Sequence, residues 1–327
     1  MYLNFLNIQK SKNFKQMKRR TFIASSLVGA LTVPTLGASL SSDRSKERVL
    51  RIAHLTDMHI FSDSAAERGI NNLLEQLNTL DVKPDIVINT GDNIMDALKK
   101  NKTEVDAQWK AWKSYFKNQM NFELYNCIGN HDVWGWGLKN TKVKKEKLYG
   151  KAWAMDMLEL SQRFYSFDKG GWHIICLDSP FKASNSHAYT AKLDQEQFEW
   201  LENDLKDTPS DTPILLASHI PILAPSVFFD GDNEKSGDWN IPGSWMHIDA
   251  RRIKDLLRNY PNIKMAISGH VHLADHVNYL GVDYFCNGAA CGGWWKGKYQ
   301  EFGPSYALID LYSDGSYTNQ LKSYNWK

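Results

Sequence analysis

Cysteine is scarce in this chain, 4 in 327 residues, which excludes a small scaffold stapled by disulfides. Proline at 10 and glycine at 21 are too few for a collagen-like rod. No internal repeat and no low-complexity tract is present, so neither a solenoid nor a disordered chain is indicated. Charge of one sign is also missing overall: 39 Lys and Arg face 37 Asp and Glu. That balance conceals an asymmetry. Residues 1–38 hold six basic residues and no acid, so of the formal +2 the remainder carries −4. The body therefore lacks the polybasic surface of a nucleic-acid or membrane binder. What is present is 43% hydrophobic and 23% charged residues, enough to bury a sizeable core, and a high count of 12 Trp.

Lys18, Arg19 and Arg20 precede an uncharged, weakly apolar run from Thr21 to Ser42. The run is too weakly apolar for a comfortable membrane span. A basic start, a short apolar run and a small-residue end predict a leader over residues 1–38, cleaved after Ala38. Its Arg-Arg-Thr-Phe-Ile order resembles a twin-arginine export signal, which implies the twin-arginine machinery as partner and a periplasmic or secreted product. The alternative is an uncleaved anchor. Met17, directly before the basic triplet, is the expected start. A polar linker follows over 39–48, then one domain over 49–327.

Within that domain, strand-like runs at Val49–Thr56, Asp85–Asn89 and Glu123–Ile128 alternate with helical periods at Ala65–Leu80 and Thr103–Lys117. A hairpin is expected at Arg163–Phe167 and Trp172–Leu177, then a helix at Asp194–Leu205, a strand at Pro213–Ser218, a helix at His247–Tyr260 and a strand at Ile263–Ser268. This alternation predicts a layered α/β architecture. Ile220–Trp245 has no period and reads as a long functional loop.

Five short motifs each fall directly after a predicted strand: Asp57-Met58-His59, Gly91-Asp92-Asn93, Gly129-Asn130-His131-Asp132, Ser218-His219 and Gly269-His270-Val271-His272. Ligand sites of layered α/β folds lie outside the carboxyl ends of strands, so all five would converge on one edge. Their hard oxygens and imidazoles suit Zn, Mn or Fe. In an extended chain, Asp57 and His59, or His270 and His272, would point the same way. Any single motif is weak, but five together at strand ends meet the criteria of a site.

In this order the motifs closely resemble those of the calcineurin-like metallophosphoesterases, over roughly residues 49–311. The resemblance implies a four-layer α/β/β/α sandwich of two mixed sheets flanked by helices. It implies two metal ions: one held by Asp57, His59, Asp92 and His272, the other by Asp92, Asn130, His219 and His270, with Asp92 as the shared bridge. His131 matches the histidine that contacts the phosphate and protonates the leaving group. The implied activity is hydrolysis of small-molecule phosphate mono- or diesters by in-line attack of a metal-bridging hydroxide. Purple acid phosphatases have a tyrosine ligand three residues after the bridging Asp. Here that position is Met95, and the intervals look closer to bacterial cyclic-nucleotide phosphodiesterases.

Asp132 is expected either to partner His131 or to cap the next turn. Trp134 and Trp136 are expected to line the substrate pocket; Trp239, Trp245, Trp294 and Trp295 also lie near the motifs or on the long loop. His54, His173, His187, His247 and His276 read as structural. Cys127 and Cys176 read as core filler, while Cys286 and Cys291 could pair. Two other readings compete with the enzyme. A catalytically silent metal-binding module on the same fold would have lost ligands, yet every position is filled. A peptide or lactam metallohydrolase would need HExxH or HxHxDH, and neither is present.

Overall fold

The strand expected at Val49–Thr56 is β1, Arg48–Leu55, and its alternate side chains part to opposite faces. Leu50 and Ile52 enter one hydrophobic core, Ala53 and Leu55 another. That period-2 division is the plan of the whole protein. The computed structural model describes residues 46–183 and 188–325. The leader, most of the linker and His187 lie outside the described residues.

The first half runs through α1 (Ser64–Thr79), β2 (Ile86–Asn89), α2 (Lys102–Tyr115), β3 (Glu123–Asn126) and the short α3 (Ala152–Met157). It continues with the hairpin β4 (Tyr165–Lys169) and β5 (Trp172–Cys176), then the three-residue ribbon β6 (Pro180–Lys182) and β7 (Tyr189–Ala191). The second half holds α4 (Gln195–Asp207), β8 (Ile214–Ala217), α5 (Ala250–Leu257) and β9 (Ile263–Ser268). The chain ends in β10 (Ala274–Tyr279), β11 (Val282–Asn287), β12 (Ser305–Tyr312) and β13 (Tyr317–Ser323). Side chains fix the helix starts: Asp63 accepts from Ala65 N, Asn101 and Glu104 form a reciprocal capping box, and Asp194 accepts from Gln197 N. Among the described residues no helix is long and apolar enough to cross a membrane.

Two mixed sheets result, in the orders β13-β12-β1-β2-β3 and β10-β11-β9-β8-β5-β4. Ile52, Ile88 and Ile309 of the first meet Ile174, Leu215 and Ile267 of the second in a central core. The outer faces are covered by helices. Leu73 and Leu77 of α1 and Trp109 and Trp112 of α2 pack on the first sheet; Phe198 and Leu201 of α4 and Ile253 of α5 pack on the second. The layers are thus helix, sheet, sheet, helix, as the resemblance implied.

Two differences have local causes. The helix expected from His247 begins only at Ala250, because His247 N bonds to Pro221 O and the imidazole to Asp249. The cysteines that could pair are free and buried: Cys286 Sγ faces Gly269 O at 3.2 Å, and Cys291 Sγ faces Gly292 O at 3.4 Å.

Candidate metal centre

The loops leaving β1, β2, β3, β8 and β9 carry the five motifs, and the strands run parallel within each sheet. They therefore open on one edge. The β1 and β9 loops are joined directly, since Asp57 Oδ2 accepts from His270 N at 2.7 Å and from Thr56 Oγ1 at 2.6 Å. Room for this convergence comes from missing side chains. A Cβ on Gly269 would stand 2.2 Å from Asp57 Oδ2, and one on Gly129 would stand 2.0 Å from Asp92 N.

The backbone corrects one expectation. Asp57 and His59, and His270 and His272, are not extended: their φ angles are +52°, +43°, +75° and +58°, and that of Asp92 is +52°. Each pair reaches a common point through left-handed turns instead. Such a conformation costs of order 1–3 kcal/mol per non-glycine residue and persists only where the surroundings enforce it.

The polar atoms form two sets that share one member. In the first, His59 Nε2 and His272 Nε2 are 3.1 Å apart, and Asp57 Oδ1 lies 3.8 Å and 3.4 Å from them. In the second, His219 Nε2 lies 2.9 Å from Asn130 Oδ1 and 3.1 Å from His270 Nδ1. Asp92 Oδ2 stands between the sets, 3.5 Å from His59 Nε2 and 3.2 Å from His219 Nε2. Donors bound at 2.0–2.2 Å around one ion are separated by roughly 2.8–3.6 Å, the edges of octahedra and tetrahedra. The observed spacings fall close to that range. Asp57 Oδ1 is also buried with no hydrogen-bond partner, as are His59 Nδ1 and His219 Nδ1. The donors thus fit two cations. His272 is already oriented for this, because its Nδ1–H donates to Gly292 O at 2.6 Å and leaves the Nε2 lone pair free.

Electrostatics point the same way. Burial pushes the Asp57 carboxyl up, but His272 and His59 outweigh it and hold the group well below its usual range. Asp92 is likewise lowered against burial, by His219 and His131. Burial opposes the charged forms of His219 and His272 too. Asp92 nevertheless raises His219, and Cys291 with Asp57 raises His272. His270 goes the other way, to about 3, through burial and the His219 charge. Two buried carboxylates thus draw positive charge into the cluster, as protons or as metal ions.

Comparison with known proteins decides what this cluster belongs to. The family model for calcineurin-like phosphoesterases matches residues 50–274. The chain belongs to that family. It is similar to a 3′,5′-cyclic-nucleotide phosphodiesterase of Nostoc sp., 23% identical over 84% of this chain and 92% of the relative. It is also similar to a probable glycerophosphodiester phosphodiesterase of Arcobacter nitrofigilis, 26% identical over 68% of this chain and 71% of the relative. In fold it is similar to a dimetal phosphatase from Danio rerio, TM-score 0.57 at 12% identity, covering 85% of this chain and 100% of the other. The protein is a metal-dependent phosphoric ester hydrolase.

In this phosphoesterase His131, like His270, is only partly buried. Its side chain is 30% exposed, whereas those of His59, His219 and His272 are at most 2% exposed. Its ring packs edge-on against His59 at 4.9 Å, and its backbone N–H donates to Asp92 Oδ1 at 2.7 Å. Asp132 does not partner it. That carboxylate accepts from Asn93 N and Nδ2 and from Gly129 N, fastening the β2 loop to the β3 loop, and burial beside Asp92 pushes its pKa up to about 6. The carboxylate facing His131 is Asp96, with 3.8 Å between Oδ1 and Nδ1. Its spacing in the sequence offered no signal.

The tryptophans divide. Trp134 is 1% exposed, donates to Lys100 O and packs edge-on against Trp153, so it is core and forms no wall of the pocket. Trp136 is half-buried and borders a cleft. Trp295 is buried, with Nε1 bonded to Met58 O at 2.9 Å, while Trp294 stacks on His272 at 4.5 Å. Trp239 is exposed and meets Phe228 edge-on at 5.2 Å; Trp245 packs beside Val227 and Val271. Tyr189, 6.3 Å from the His270 ring, was not singled out in the sequence. The described structural histidines have ordinary partners: His54 lies between Thr90 and Asn287, His173 between Asp168 and Asp204, His247 against Asp249, and His276 against Asp283.

Proposed function

We propose that this phosphoesterase hydrolyses phosphodiesters by in-line attack of water, with His131 protonating the departing alkoxide. One observation carries the reading: the single oxygen Asp92 Oδ2 belongs to two donor sets. Asp57, His59, His272 and Asp92 would hold one ion; Asp92, Asn130, His219 and His270 would hold the other. When bound, such a pair supplies a water of lowered pKa and polarises the phosphoryl oxygens. The donor types suit Mn, Fe or Zn, and Met95 leaves no tyrosine for a ferric tyrosinate.

The chain's own residues do the rest. Imidazole and amide donors outnumber the carboxylates, so negative charge stays low where a phosphate must enter. All the ligands but the partly buried His270 are buried, which keeps bulk water from them. His131 lies at the rim with Nδ1 buried, so Nε2 is the nitrogen that can meet a leaving oxygen. Diester specificity is supported by the names of the relatives from Nostoc and Arcobacter nitrofigilis.

The test uses chelated, then reloaded protein. Activity should vanish and return with metal; full turnover without metal would end the proposal. His131→Ala should keep its metals, because the bond to Asp92 comes from the backbone. Its kcat should fall about 10²–10⁴-fold on alkyl esters and far less on p-nitrophenyl esters, whose leaving group needs no proton. Equal losses on both would remove the acid role from His131.

A further inference from the structure

Beside the metal centre lies a cleft of about 490 Å³ that the reaction alone does not require. Its walls hold the rings of Trp136, Tyr149 and Tyr189. They also hold four lysines, Lys99, Lys139, Lys144 and Lys182, and no carboxylate among the described residues. Tyr189 is the wall shared with the centre, 6.3 Å from the His270 ring. Its phenol is pushed up by burial and by the charges of Asp92 and Asp57, which marks how near the two sites are. On another side, Ala97 N bonds to His131 O at 2.7 Å and Gly137 N to Leu98 O at 3.0 Å, tying the cleft to the His131 loop.

What the cleft adds is four lysines gathered on one wall. Several lysines outside it sit against carboxylates, such as Lys102 on Glu146 at 2.8 Å and Lys110 on Asp106 at 2.6 Å. Among the described residues none of the cleft's four makes such a pair, and Lys182 bonds instead to the Tyr149 hydroxyl at 2.6 Å. The 139–147 segment that supplies much of this wall is basic, with Lys139, Lys142, Lys144, Lys145 and Lys147 against the single Glu146, although the chain beyond residue 38 carries −4. A concave wall of one sign concentrates ligands of the other. A cyclic mononucleotide has its one charge on the phosphate that is cleaved, and the metal centre takes that phosphate. Nothing in such a molecule would use the lysines.

We infer that the cleft is a subsite for the part of the substrate that is not cleaved, and that this part carries a ring and at least one further phosphate. The rings of Trp136 and Tyr149 offer stacking faces, and the lysines neutralise the added charge. The inference rests on the phosphodiesterase reading and narrows it to polyanionic phosphodiesters.

A matched pair of probes separates the two. The dinucleotides ApA and pApA share the same scissile linkage and differ by one terminal phosphate. The metal-loaded full-length protein should turn over pApA with a kcat/KM at least about tenfold above that for ApA, a preference that shrinks with added salt. In the Lys144→Gln, Lys182→Gln double variant the ratio should approach one. Because the ratio is taken within one protein, a loss of folded material cancels. Equal turnover of the two dinucleotides, a preference that survives in the double variant, or hydrolysis of bis(p-nitrophenyl) phosphate with neither dinucleotide turned over would overturn the subsite alone. No turnover of any of the three would overturn the phosphodiesterase reading beneath it.

Discussion

Gly129→Ala is the smallest change that should disable this enzyme. The φ of Gly129 is not among the positive ones, so an alanine meets no intrinsic backbone penalty there. The whole effect is crowding. The new methyl would stand 2.0 Å from Asp92 N, 2.2 Å from Asp92 Oδ1 and 2.8 Å from Asp92 Cα, where ordinary contacts of carbon need about 3.5 Å. Neither neighbour is the free end of a flexible side chain. Asp92 Oδ1 is held by His131 N at 2.7 Å, and Oδ2 is the shared member of both donor sets. Relief requires the β2 and β3 loops to part by more than about 1 Å, a displacement worth about 10²-fold in rate when it falls on a positioned group. Overpacking should also cost roughly 1–3 kcal/mol of stability. The control is Gly171→Ala in the β4–β5 turn. There φ is +74° and no atom lies within 4 Å of the new methyl, so the cost is about 1 kcal/mol of backbone strain with activity kept. Elemental analysis, thermal melts and hydrolysis of bis(p-nitrophenyl) phosphate would be measured on both. A Gly129→Ala protein with normal metal content and turnover would refute the reasoning, because Asp92 would then tolerate a shift that the geometry forbids.

Asp92→Asn should deplete both ions, whereas Asp57→Asn should deplete chiefly one, and elemental analysis of the two variants distinguishes these. Trp134→Ala should cost about 3–5 kcal/mol, the range for a large buried aromatic, and scale turnover of all substrates alike; a change in relative kcat/KM among esters would return that residue to the pocket. His173 is raised above its ordinary 6.5, because Asp204 and Asp168 outweigh its burial. A raised histidine contributes stability that is full below 6.5 and is lost as pH climbs through the folded value. His173→Gln should therefore cost about 0.5–1 kcal/mol near pH 5.5 and almost nothing near pH 9, with Asp168 too exposed for a larger effect; a difference that grows with pH would show the sign to be wrong.

Much of the fold was legible because its elements announce themselves locally. The strands that became β1, β2, β3, β8 and β9 are short apolar runs, and each ends in a polar motif whose position needs no knowledge of the fold. The two outer helical layers were visible in side-chain spacing, one in Ile70, Leu73 and Leu77 with Trp109 and Trp112, the other in Phe198, Leu201 and Leu205. Other features depend on distant partners. At 6 residues α3 is too short to show a period, and the 3-residue β6 and β7 exist only because they pair with each other. Asp132 was expected to partner His131 or to cap the next turn; it does bond back to Gly129 within its own loop, but its partner Asn93 meets it only when the β2 and β3 loops come together. Trp134 follows a site motif at once, yet its side chain turns into the core against Trp153, 19 residues further along. The left-handed turns at Asp57, His59, His270 and His272 were hidden for a related reason. Nothing in Asp-x-His or His-x-His states its φ.

Those turns also constrain the history open to this chain. Asp57, His59, Asp92, His270 and His272 all hold a backbone that glycine or asparagine would adopt more cheaply. Drift alone would relax that backbone strain by moving such positions toward those two residues. Asp57 and Asp92 also join loops through their carboxylates, but His59 and His270 have metal binding and turnover as their reason to resist. A descendant that abandons chemistry and keeps the scaffold should therefore decay first at these two histidines, and relieve strain as it does so. For any relative of this protein, the residue types at these left-handed corners become a record of whether selection still acts on turnover or only on shape.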